Sequence, residues 1–304
     1  MPASATARPA GDFSGLWIPL VTPFRDGDVD HSALAALVTQ LVPTGIAGFV
    51  VCGSTGEAAA LDKAEQLACL RTVAAHAGGL PLVMGLSGYH LDATRDWVMQ
   101  LTRETTSDVP PLAGLLVPPP HYIRPGSDGL GLWFRALADA SGVPLILYDI
   151  PYRTGAVLPR ELLLSLAAHP NIRAIKDCGG DAAKTLALVA DGRLQVLAGE
   201  DLQVFATVAQ GGAGAITASA HVQPQRWVAM LDAIAAGRLA DARRLWQVLV
   251  PLVERLFSAP NPGPIKGLLA RQGCLRNELR APMTCAPAAL VDELVKDEAR
   301  LSRL

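Results

Sequence analysis

Short apolar runs alternate with amphipathic stretches along most of the chain. The runs predict strands, and the stretches in which apolar residues recur every three or four positions predict helices. Strands that are almost continuously apolar are typical of a parallel sheet buried on both faces. The predicted strands span residues 16–21, 48–52, 82–86, 114–117, 145–148, 172–175, 195–198 and 215–217. The predicted helices span residues 31–42, 62–77, 91–105, 127–140, 158–168, 181–190, 201–209 and 224–236.

Eight strand–helix units within about 220 residues predict an α/β fold of the closed (β/α)8 barrel type, a TIM barrel. The alternation stops near residue 237, and three further stretches, at 239–257, 262–273 and 287–300, predict a helical appendage. We therefore expect a disordered tail at 1–13, a catalytic barrel at 14–236 and a C-terminal helical domain at 237–304. An open doubly wound sheet is the main rival, but the GxGxxG pattern is missing after the first strand.

Composition and charge narrow the classes of function. The 304 residues are half hydrophobic and carry a net charge of -2, with arginines scattered along the chain, so we expect no binding to nucleic acid or to a membrane. The N-terminal segment lacks a hydrophobic signal, which favours the cytoplasm. Five cysteines form no CxxC pair, and we interpret them as buried reduced thiols. No cluster has metal-ligand spacing, so no metal is expected.

Lys176 is the first candidate for a nucleophile, because it ends the apolar run 172–175 and two glycines follow shortly after it. Burial lowers the pKa of an amine, and a neutral amine attacks a ketone to form a Schiff base. A structural lysine paired with a carboxylate such as Asp177 is the alternative. The remaining lysines fall in stretches of helical period, where we expect exposure to solvent: Lys63, Lys184, Lys266 and Lys296.

Other polar residues follow predicted strands, at the edge where a barrel of this type holds its site. The second strand is followed by residues 53–57, GSTGE, whose amides and hydroxyls can hold a carboxylate, although a plain capped loop is the simpler interpretation. Tyr148 and Arg153 lie around the end of the fifth strand. The simpler interpretation is that Tyr148 belongs to the core and that Arg153 is a surface cation. Small residues at 217–220 leave room for a ligand. Together these groups suit a carbonyl substrate that carries acid groups.

Four motifs resemble one family of enzymes. Residues 53–57, Tyr148 with the segment 151–155, residues 175–177 and the segment 261–266, NPGPIK, resemble the dihydrodipicolinate synthase and N-acetylneuraminate lyase family of pyruvate-dependent class I aldolases. The resemblance runs from about Gly15 to Pro287. It implies the same barrel with a C-terminal helical domain, a homotetramer built as a dimer of dimers, and a covalent Schiff base with no cofactor.

The resemblance assigns four catalytic side chains. Lys176 would form the Schiff base with the keto carbon of pyruvate, and Tyr148 would shuttle protons as the adduct becomes an enamine. Ser54 occupies the position of the family's relay hydroxyl. Tyr122 matches a tyrosine that reaches across a dimer interface to complete the relay of a neighbour, and packing at the interface is its alternative role.

Substrate-binding roles follow from the same resemblance. The loop of Gly53, Ser54 and Thr55 would hold the pyruvate carboxylate, and the carbonyl of Ile216 would help to seat pyruvate. Arg153 resembles the arginine with which the synthases hold the carboxylate of aspartate semialdehyde. We therefore expect condensation of pyruvate with L-aspartate 4-semialdehyde to 4-hydroxy-tetrahydrodipicolinate, on the route to lysine and diaminopimelate. The alternatives are a lyase for a 2-keto-3-deoxy sugar acid or sialic acid, and a silent sensor of a keto acid.

The chain departs from the usual pattern of the synthases at several positions. Ser54 replaces a common threonine, Asp149 replaces an asparagine, and residues 177–179, Asp-Cys-Gly, replace Glu-Ala-Thr. The loop 85–90 also differs from the Gly-Thr-Gly pattern. At the positions where lysine-sensitive members bind their effector, the chain carries Ala58, Lys63, Gln66, Tyr89 and His121. A lysine at 63 and a histidine at 121 predict weak or absent inhibition by lysine.

Overall fold

The structure is a computed structural model that describes residues 11–103 and 111–303. The strands are β1 (Gly15–Pro19), β2 (Phe24–Arg25), β3 (Asp28–Val29), β4 (Gly48–Val51), β5 (Leu82–Gly85), β6 (Gly114–Val117), β7 (Leu145–Asp149), β8 (Ile172–Asp177), β9 (Gln195–Ala198) and β10 (Gly214–Ile216). The helices of the barrel are α1 (His31–Leu41), α2 (Lys63–His76), α3 (Leu91–Arg103), α4 (Ser127–Ala140), α5 (Pro151–Thr154), α6 (Arg160–Leu166), α7 (Ala182–Asp191), α8 (Val204–Ala209) and α9 (Pro224–Ala235). The C-terminal helices are α10 (Leu239–Leu256), α11 (Gly263–Arg271) and α12 (Ala288–Leu301).

Eight parallel strands close into a barrel in the order β1-β10-β9-β8-β7-β6-β5-β4, with β1 also paired to β4. The predicted (β/α)8 barrel is confirmed, and each of the eight predicted strands is present. Every residue of β4, β5 and β6 is buried, as expected for strands covered on both faces. A separate antiparallel hairpin, β2 with β3, was not predicted because each strand has only two residues.

Side chains that point into the barrel form an inner core, distinct from the outer core between the strands and the helices. Its members include Trp17, Val50, Val83, Leu116, Ile146, Tyr148, Ala174, Leu197 and Ile216. Phe13 closes this core at the amino end of the strands and is fully buried. Its N–H donates to Gln195 Oε1 at 2.8 Å, and the Gln195 amide donates to the carbonyl of Gly11 at 2.6 Å. The expected disordered tail is therefore wrong for residues 11–13, while residues 1–10 lie outside the described residues.

Local capping sets several helix boundaries. Asp62 accepts a hydrogen bond from the N–H of Glu65 at 2.8 Å, and the Glu65 carboxylate accepts one from the N–H of Asp62 at 3.0 Å, which is a capping box at the start of α2. Asp181 caps α7 through the N–H of Lys184, and α7 ends at Asp191, directly before Gly192, whose φ is 74°.

Three elements differ from the predicted helices. The extra turn α5 lies in the loop after β7, and α6 is shorter than the predicted helix at 158–168. A 3-10 turn at 201–203 precedes α8. The predicted helix at 91–105 corresponds to α3, and its residues 104 and 105 lie outside the described residues. No helix in the described part of the chain is long and apolar enough to cross a membrane.

The C-terminal helices follow the barrel where the sequence predicts them. Helix α9 ends at Ala235, Gly237 adopts φ 72°, and α10 then packs against α9 and α12. Helix α11 places Lys266 against the barrel, where its ammonium donates to the carbonyl of Thr22 at 2.8 Å and to Glu57 Oε1 at 2.7 Å. The appendage is thus joined to the loops at the carboxyl end of the barrel.

Candidate active site

The register of two neighbouring strands brings Lys176 and Tyr148 together. They are Cα partners on β8 and β7, and both side chains point into the barrel. Lys176 Nζ donates to the Tyr148 hydroxyl at 3.3 Å and lies 4.4 Å from the centroid of the phenol ring. Only 5% of Lys176 and 6% of Tyr148 are exposed. An amine and a phenol are therefore paired in a site that excludes most water.

Burial shifts both groups toward their neutral forms. It lowers the pKa of Lys176, although nearby acidic groups, first Cys178, oppose the shift. Burial also raises the pKa of Tyr148 well above its ordinary value, while its interaction with Ser54 lowers it by less. A neutral amine can act as a nucleophile, and a neutral phenol can give a proton.

Asp177 does not pair with Lys176, contrary to the alternative interpretation of this lysine. It lies on the other face of β8, where it accepts hydrogen bonds from the Thr185 hydroxyl at 2.5 Å and the N–H of Gly179 at 2.9 Å. Alternation along a strand places consecutive side chains on opposite faces, so Lys176 and Asp177 cannot both face the barrel interior.

Gly199 makes room for Lys176 and was missed by the sequence reasoning. It directly follows β9, and a Cβ atom there would lie closest to Cys178 Sγ, with Cγ of Lys176 at 2.7 Å and Cε at 3.0 Å. Any side chain at this position would displace both the thiol and the lysine. The available signal was a glycine at the carboxyl end of an apolar strand, which often marks a close approach.

The loop after β4 carries Ser54 and Thr55. The Thr55 hydroxyl is buried and accepts a hydrogen bond from Asn261 Nδ2 at 3.0 Å, whereas Ser54 is exposed. Neither residue caps a helix, because Glu57 precedes the 3-10 turn at 58–60 and Asp62 caps α2, so the N-cap role in the capped-loop interpretation is wrong. A Cβ at Gly85 would lie 2.8 Å from the Cα of Gly53, which shows how closely the end of β5 approaches this loop.

A cavity of about 420 Å³ opens at the carboxyl ends of the strands. Gly53, Ser54, Tyr148 and Arg153 border it, together with residues 280–283 of the C-terminal domain. This volume is within the range of small-molecule sites. Three predicted site residues, Lys176, Thr55 and Ile216, are buried and do not border the cavity directly.

Arg153 stands at the rim of this cavity on α5. Its guanidinium is exposed and lies 5.9 Å from the centroid of the Tyr152 ring. Among the described residues Arg153 has no ion-pair partner. An exposed guanidinium without an ion-pair partner is suited to bind a carboxylate of a ligand.

The segment after β10 does not provide the expected room for a ligand. Residues 217–220 are buried, and none of them borders the cavity. Asp201, which the sequence reasoning missed, accepts close hydrogen bonds from the hydroxyls of Thr217 and Ser219 and one from the N–H of Ser219 at 2.7 Å. This buried carboxylate holds the segment in place, and its charge opposes the lowering of the pKa of Lys176.

His221 fixes the same segment and was also missed. Its Nδ1 donates to the carbonyl of Ala218 at 2.8 Å, and its Nε2 accepts from the N–H of Val21 at 3.2 Å. These partners require the neutral ring, because Nε2 must keep a lone pair. Burial lowers the pKa of His221 to about 4.

Tyr122 lies apart from the other predicted residues. It follows β6, has a φ of 74° and is 89% exposed. It makes no hydrogen bond to any residue that the structure describes. One chain alone therefore does not bring this phenol to Lys176, and its role across an interface stays a prediction.

Two lysines are buried where we expected exposure. Lys184 on α7 forms an ion pair with Asp149, and Lys266 on α11 is fully buried against Glu57. The expectation was wrong because each lysine is on the face of its helix that packs against the barrel, and each meets a buried carboxylate. Lys63 and Lys296 are exposed as expected.

The thiols are all free, but they are not all buried. Cys52, Cys69 and Cys178 are buried, whereas Cys274 is half-buried and Cys285 is exposed, so the expectation of five buried thiols is wrong for two of them. The residues of the structure described here contain no group of three or more His, Cys, Asp or Glu side chains placed to hold a metal ion.

The sequence from residue 12 to residue 297 matches the dihydrodipicolinate synthetase family. It is 36% identical over 297 residues to the 4-hydroxy-tetrahydrodipicolinate synthase of Hyphomonas neptunium, with 96% of this chain and 99% of that protein covered. It is 35% identical over 292 residues to the protein of the same name from Trichlorobacter lovleyi, with 94% and 98% covered. The crystal structure of dihydrodipicolinate synthase from Thermotoga maritima superposes with a TM-score of 0.90 at 26% identity, covering 96% of this chain and all of that one. The motifs, the barrel and these matches agree, and the chain belongs to the dihydrodipicolinate synthetase family.

Proposed function

We propose that the chain condenses pyruvate with L-aspartate 4-semialdehyde to give 4-hydroxy-tetrahydrodipicolinate, through a Schiff base on Lys176. The observation that carries the proposal is the 3.3 Å contact between the buried amine of Lys176 and the hydroxyl of Tyr148. Burial favours the neutral amine that the first step needs, and the adjacent phenol keeps the proton that later steps use. The relatives from Hyphomonas and Trichlorobacter carry the name of this activity and match nearly the whole chain.

The proposed reaction uses the pair in successive steps. The Lys176 amine adds to the keto carbon, and the adduct loses water to give an iminium ion while Tyr148 supplies a proton to the leaving oxygen. Loss of a methyl proton gives an enamine, whose carbon attacks the aldehyde, and the new alkoxide takes a proton through Tyr148 and Ser54. The amine of the semialdehyde then adds to the iminium carbon and displaces Lys176. The ring closes and the free lysine is restored.

The binding roles in this proposal are those that the resemblance to the family implies. The amides of Ser54 and Thr55, next to Gly53, would hold the pyruvate carboxylate, and the carbonyl of Ile216 at the end of β10 would help to seat pyruvate. Arg153 would hold the carboxylate of the second substrate, because its exposed guanidinium is at the rim of the cavity and has no ion-pair partner among the described residues. A polyol substrate would instead need several hydrogen-bonding groups around this rim.

The test is turnover of pyruvate with L-aspartate 4-semialdehyde, coupled to the reductase that consumes the product and followed by nicotinamide oxidation. Lys176→Ala is the control, and it should abolish both turnover and the pyruvate adduct that borohydride traps. Turnover lost in this variant supports the synthase. A trapped adduct without turnover would favour a lyase for a 2-keto-3-deoxy sugar acid or sialic acid, and failure to trap any adduct would leave only a keto-acid sensor.

We further propose that the chain works as a homotetramer, a dimer of dimers, in which Tyr122 completes the proton relay of a neighbouring subunit. The support is that the Tyr122 side chain is 89% exposed and makes no hydrogen bond to any described residue of its own chain. Mixing two weak variants tests this proposal, because a Tyr122→Phe subunit keeps Lys176 and a Lys176→Ala subunit keeps Tyr122. Hybrids should regain activity if the tyrosine crosses an interface. Equal activity before and after mixing would contradict the proposal.

The partners of the protein on this proposal are its two small substrates and further copies of the chain. We place the reaction in the cytoplasm, because the half-buried thiol of Cys274 and the exposed thiol of Cys285 suit a reducing compartment. Fractionation of the source cells with an antibody against the protein tests this location.

A further inference from the structure

Each strand that carries a reactive residue ends one position later, at an aspartate. Asp149 follows Tyr148 on β7, Asp177 follows Lys176 on β8, and the two aspartates are Cα partners. Both are buried, and none of the Asp149 side chain is exposed. Because side chains alternate along a strand, the aspartates face the helices while the amine and the phenol face the barrel interior.

The first turn of α7 holds both aspartates. Lys184 makes a close ion pair with Asp149, and Thr185 donates to Asp177 at 2.5 Å. The turn is itself fixed, because Asp181 accepts a hydrogen bond from the N–H of Lys184 at 3.0 Å. One helix start therefore sets the position of the carboxyl ends of β7 and β8 relative to each other.

Gly179 gives this ion pair its space. A Cβ atom at this position would lie 2.6 Å from Asp149 Oδ2 and also 2.6 Å from Lys184 Nζ. Asp149 and Gly179 are two of the positions where the chain departs from the usual pattern of the synthases. The structure explains them together, since an aspartate at 149 needs a cation, and the resulting pair leaves no room for a side chain at 179.

Lys184 is the main compensation for the buried carboxylate. Asp149 Oδ1 has no hydrogen-bond donor among the described residues, so its stabilisation depends on the contact through Oδ2. The same ammonium donates to the carbonyl of Leu158 at 3.4 Å, in the segment that follows Arg153 and α5. The pair thus joins the end of β7, the segment after the rim arginine and the start of α7.

We propose that Asp149 and Lys184 are positioning residues that fix the Tyr148 hydroxyl against the Lys176 amine without touching substrate. The inference rests on the Schiff-base function proposed above. Proton transfer requires the two groups to stay within hydrogen-bond reach, and their contact is 3.3 Å. A small shift of the end of β7 would therefore slow the proton-transfer steps more than it would weaken the binding of pyruvate.

The test is the double variant Asp149→Leu/Lys184→Met, which removes both charges and keeps similar volumes. Replacing a buried ion pair by hydrophobic residues of similar volume often leaves stability unchanged, so the fold should persist. We expect kcat to fall by about 10- to 100-fold, the cost of a small misplacement of catalytic groups, with the KM for pyruvate changed less than about threefold. Trapping of the pyruvate adduct by borohydride should slow in parallel.

A matched control is the double variant Arg255→Met/Asp297→Leu, which removes a close ion pair between α10 and α12, outside the catalytic machinery. It should keep the kcat of the wild type. If the Asp149/Lys184 double variant is folded and its kcat is within twofold of the wild type, the positioning role is wrong. If wild type itself traps no pyruvate, the proposed function fails instead, so the two failures are distinguishable.

A second variant covers the case in which the double variant does not fold. Lys184→Arg keeps the charge but brings a larger planar group to a place that is spacious enough for the lysine ammonium only because residue 179 has no side chain. We expect a folded protein whose kcat is reduced at least fivefold, with an unchanged KM for pyruvate. If the kcat of this variant equals that of the wild type, the proposal is overturned.

Discussion

We expect the buried histidine His221, near the carboxyl end of the barrel, to make the free energy of unfolding depend on pH. His221 is buried, and burial lowers its pKa from 6.5 to about 4, although its hydrogen bond to the carbonyl of Ala218 opposes the shift. Protonation would also break the hydrogen bond from the N–H of Val21 to Nε2. The folded protein therefore holds this ring neutral at pH values where the unfolded chain binds a proton.

The sign and the size of the effect follow from linkage. Between pH 4 and 6.5 the unfolded state binds more protons at this residue, so the free energy of unfolding rises with pH across the window. The contribution is complete above pH 6.5 and lost as the pH falls to about 4. At 1.36 kcal/mol for each pKa unit, it amounts to about 3 kcal/mol.

The assay is urea unfolding at several pH values between 4 and 7, for wild type and for His221→Gln. The glutamine amide offers a donor and an acceptor to the same partners but does not titrate. Buried carboxyls such as Asp149 and Asp201 titrate in both proteins, so the comparison cancels their contribution. Wild type should lose about 3 kcal/mol more than the variant on going from pH 7 to pH 4. Equal losses in the two proteins would refute the reasoning.

Three further predictions concern the site and its control. Gly199→Ala should slow adduct formation on Lys176 by at least tenfold, because its Cβ would displace the lysine side chain. The control Gly126→Ala adds a Cβ in open space and should have no effect. The rate at which borohydride traps the pyruvate adduct measures both variants. Lys266→Met should lower the free energy of unfolding by about 3–5 kcal/mol by leaving Glu57 buried without its partner, and adding Glu57→Gln should recover most of the loss in urea unfolding. L-Lysine should inhibit turnover weakly or not at all, and potent inhibition in a titration would contradict the effector-site reasoning.

The period of the hydrophobic pattern was enough to predict the barrel. Apolar runs separated by helical spacing indicated eight strands, and all eight close into one sheet. The position of Lys176 at the end of such a run identified it as a candidate before any partner was known. Short elements escaped the pattern: the hairpin of β2 and β3 and the single turn of α5 are too short to show a period.

The contacts between distant residues needed the folded chain. Tyr148 and Lys176 are 28 positions apart, and the register of β7 with β8 determines that their side chains meet. Asn261 reaches Thr55 across 206 positions, because the C-terminal domain folds back over the barrel. The sequence placed Phe13 in the expected disordered tail, and only the closed barrel offers the space that its ring fills.

The sequence by itself determined the alternation of strands and helices, the residues at the strand ends and the family. The tertiary structure alone decided which charges are buried and what compensates them. Lys184 and Lys266 follow the same helical period as exposed lysines, yet one pairs with Asp149 and the other with Glu57. The physical reason is that a helical period fixes the face on which a residue lies, whereas the free energy of a buried charge depends on the partner that another part of the chain brings to it.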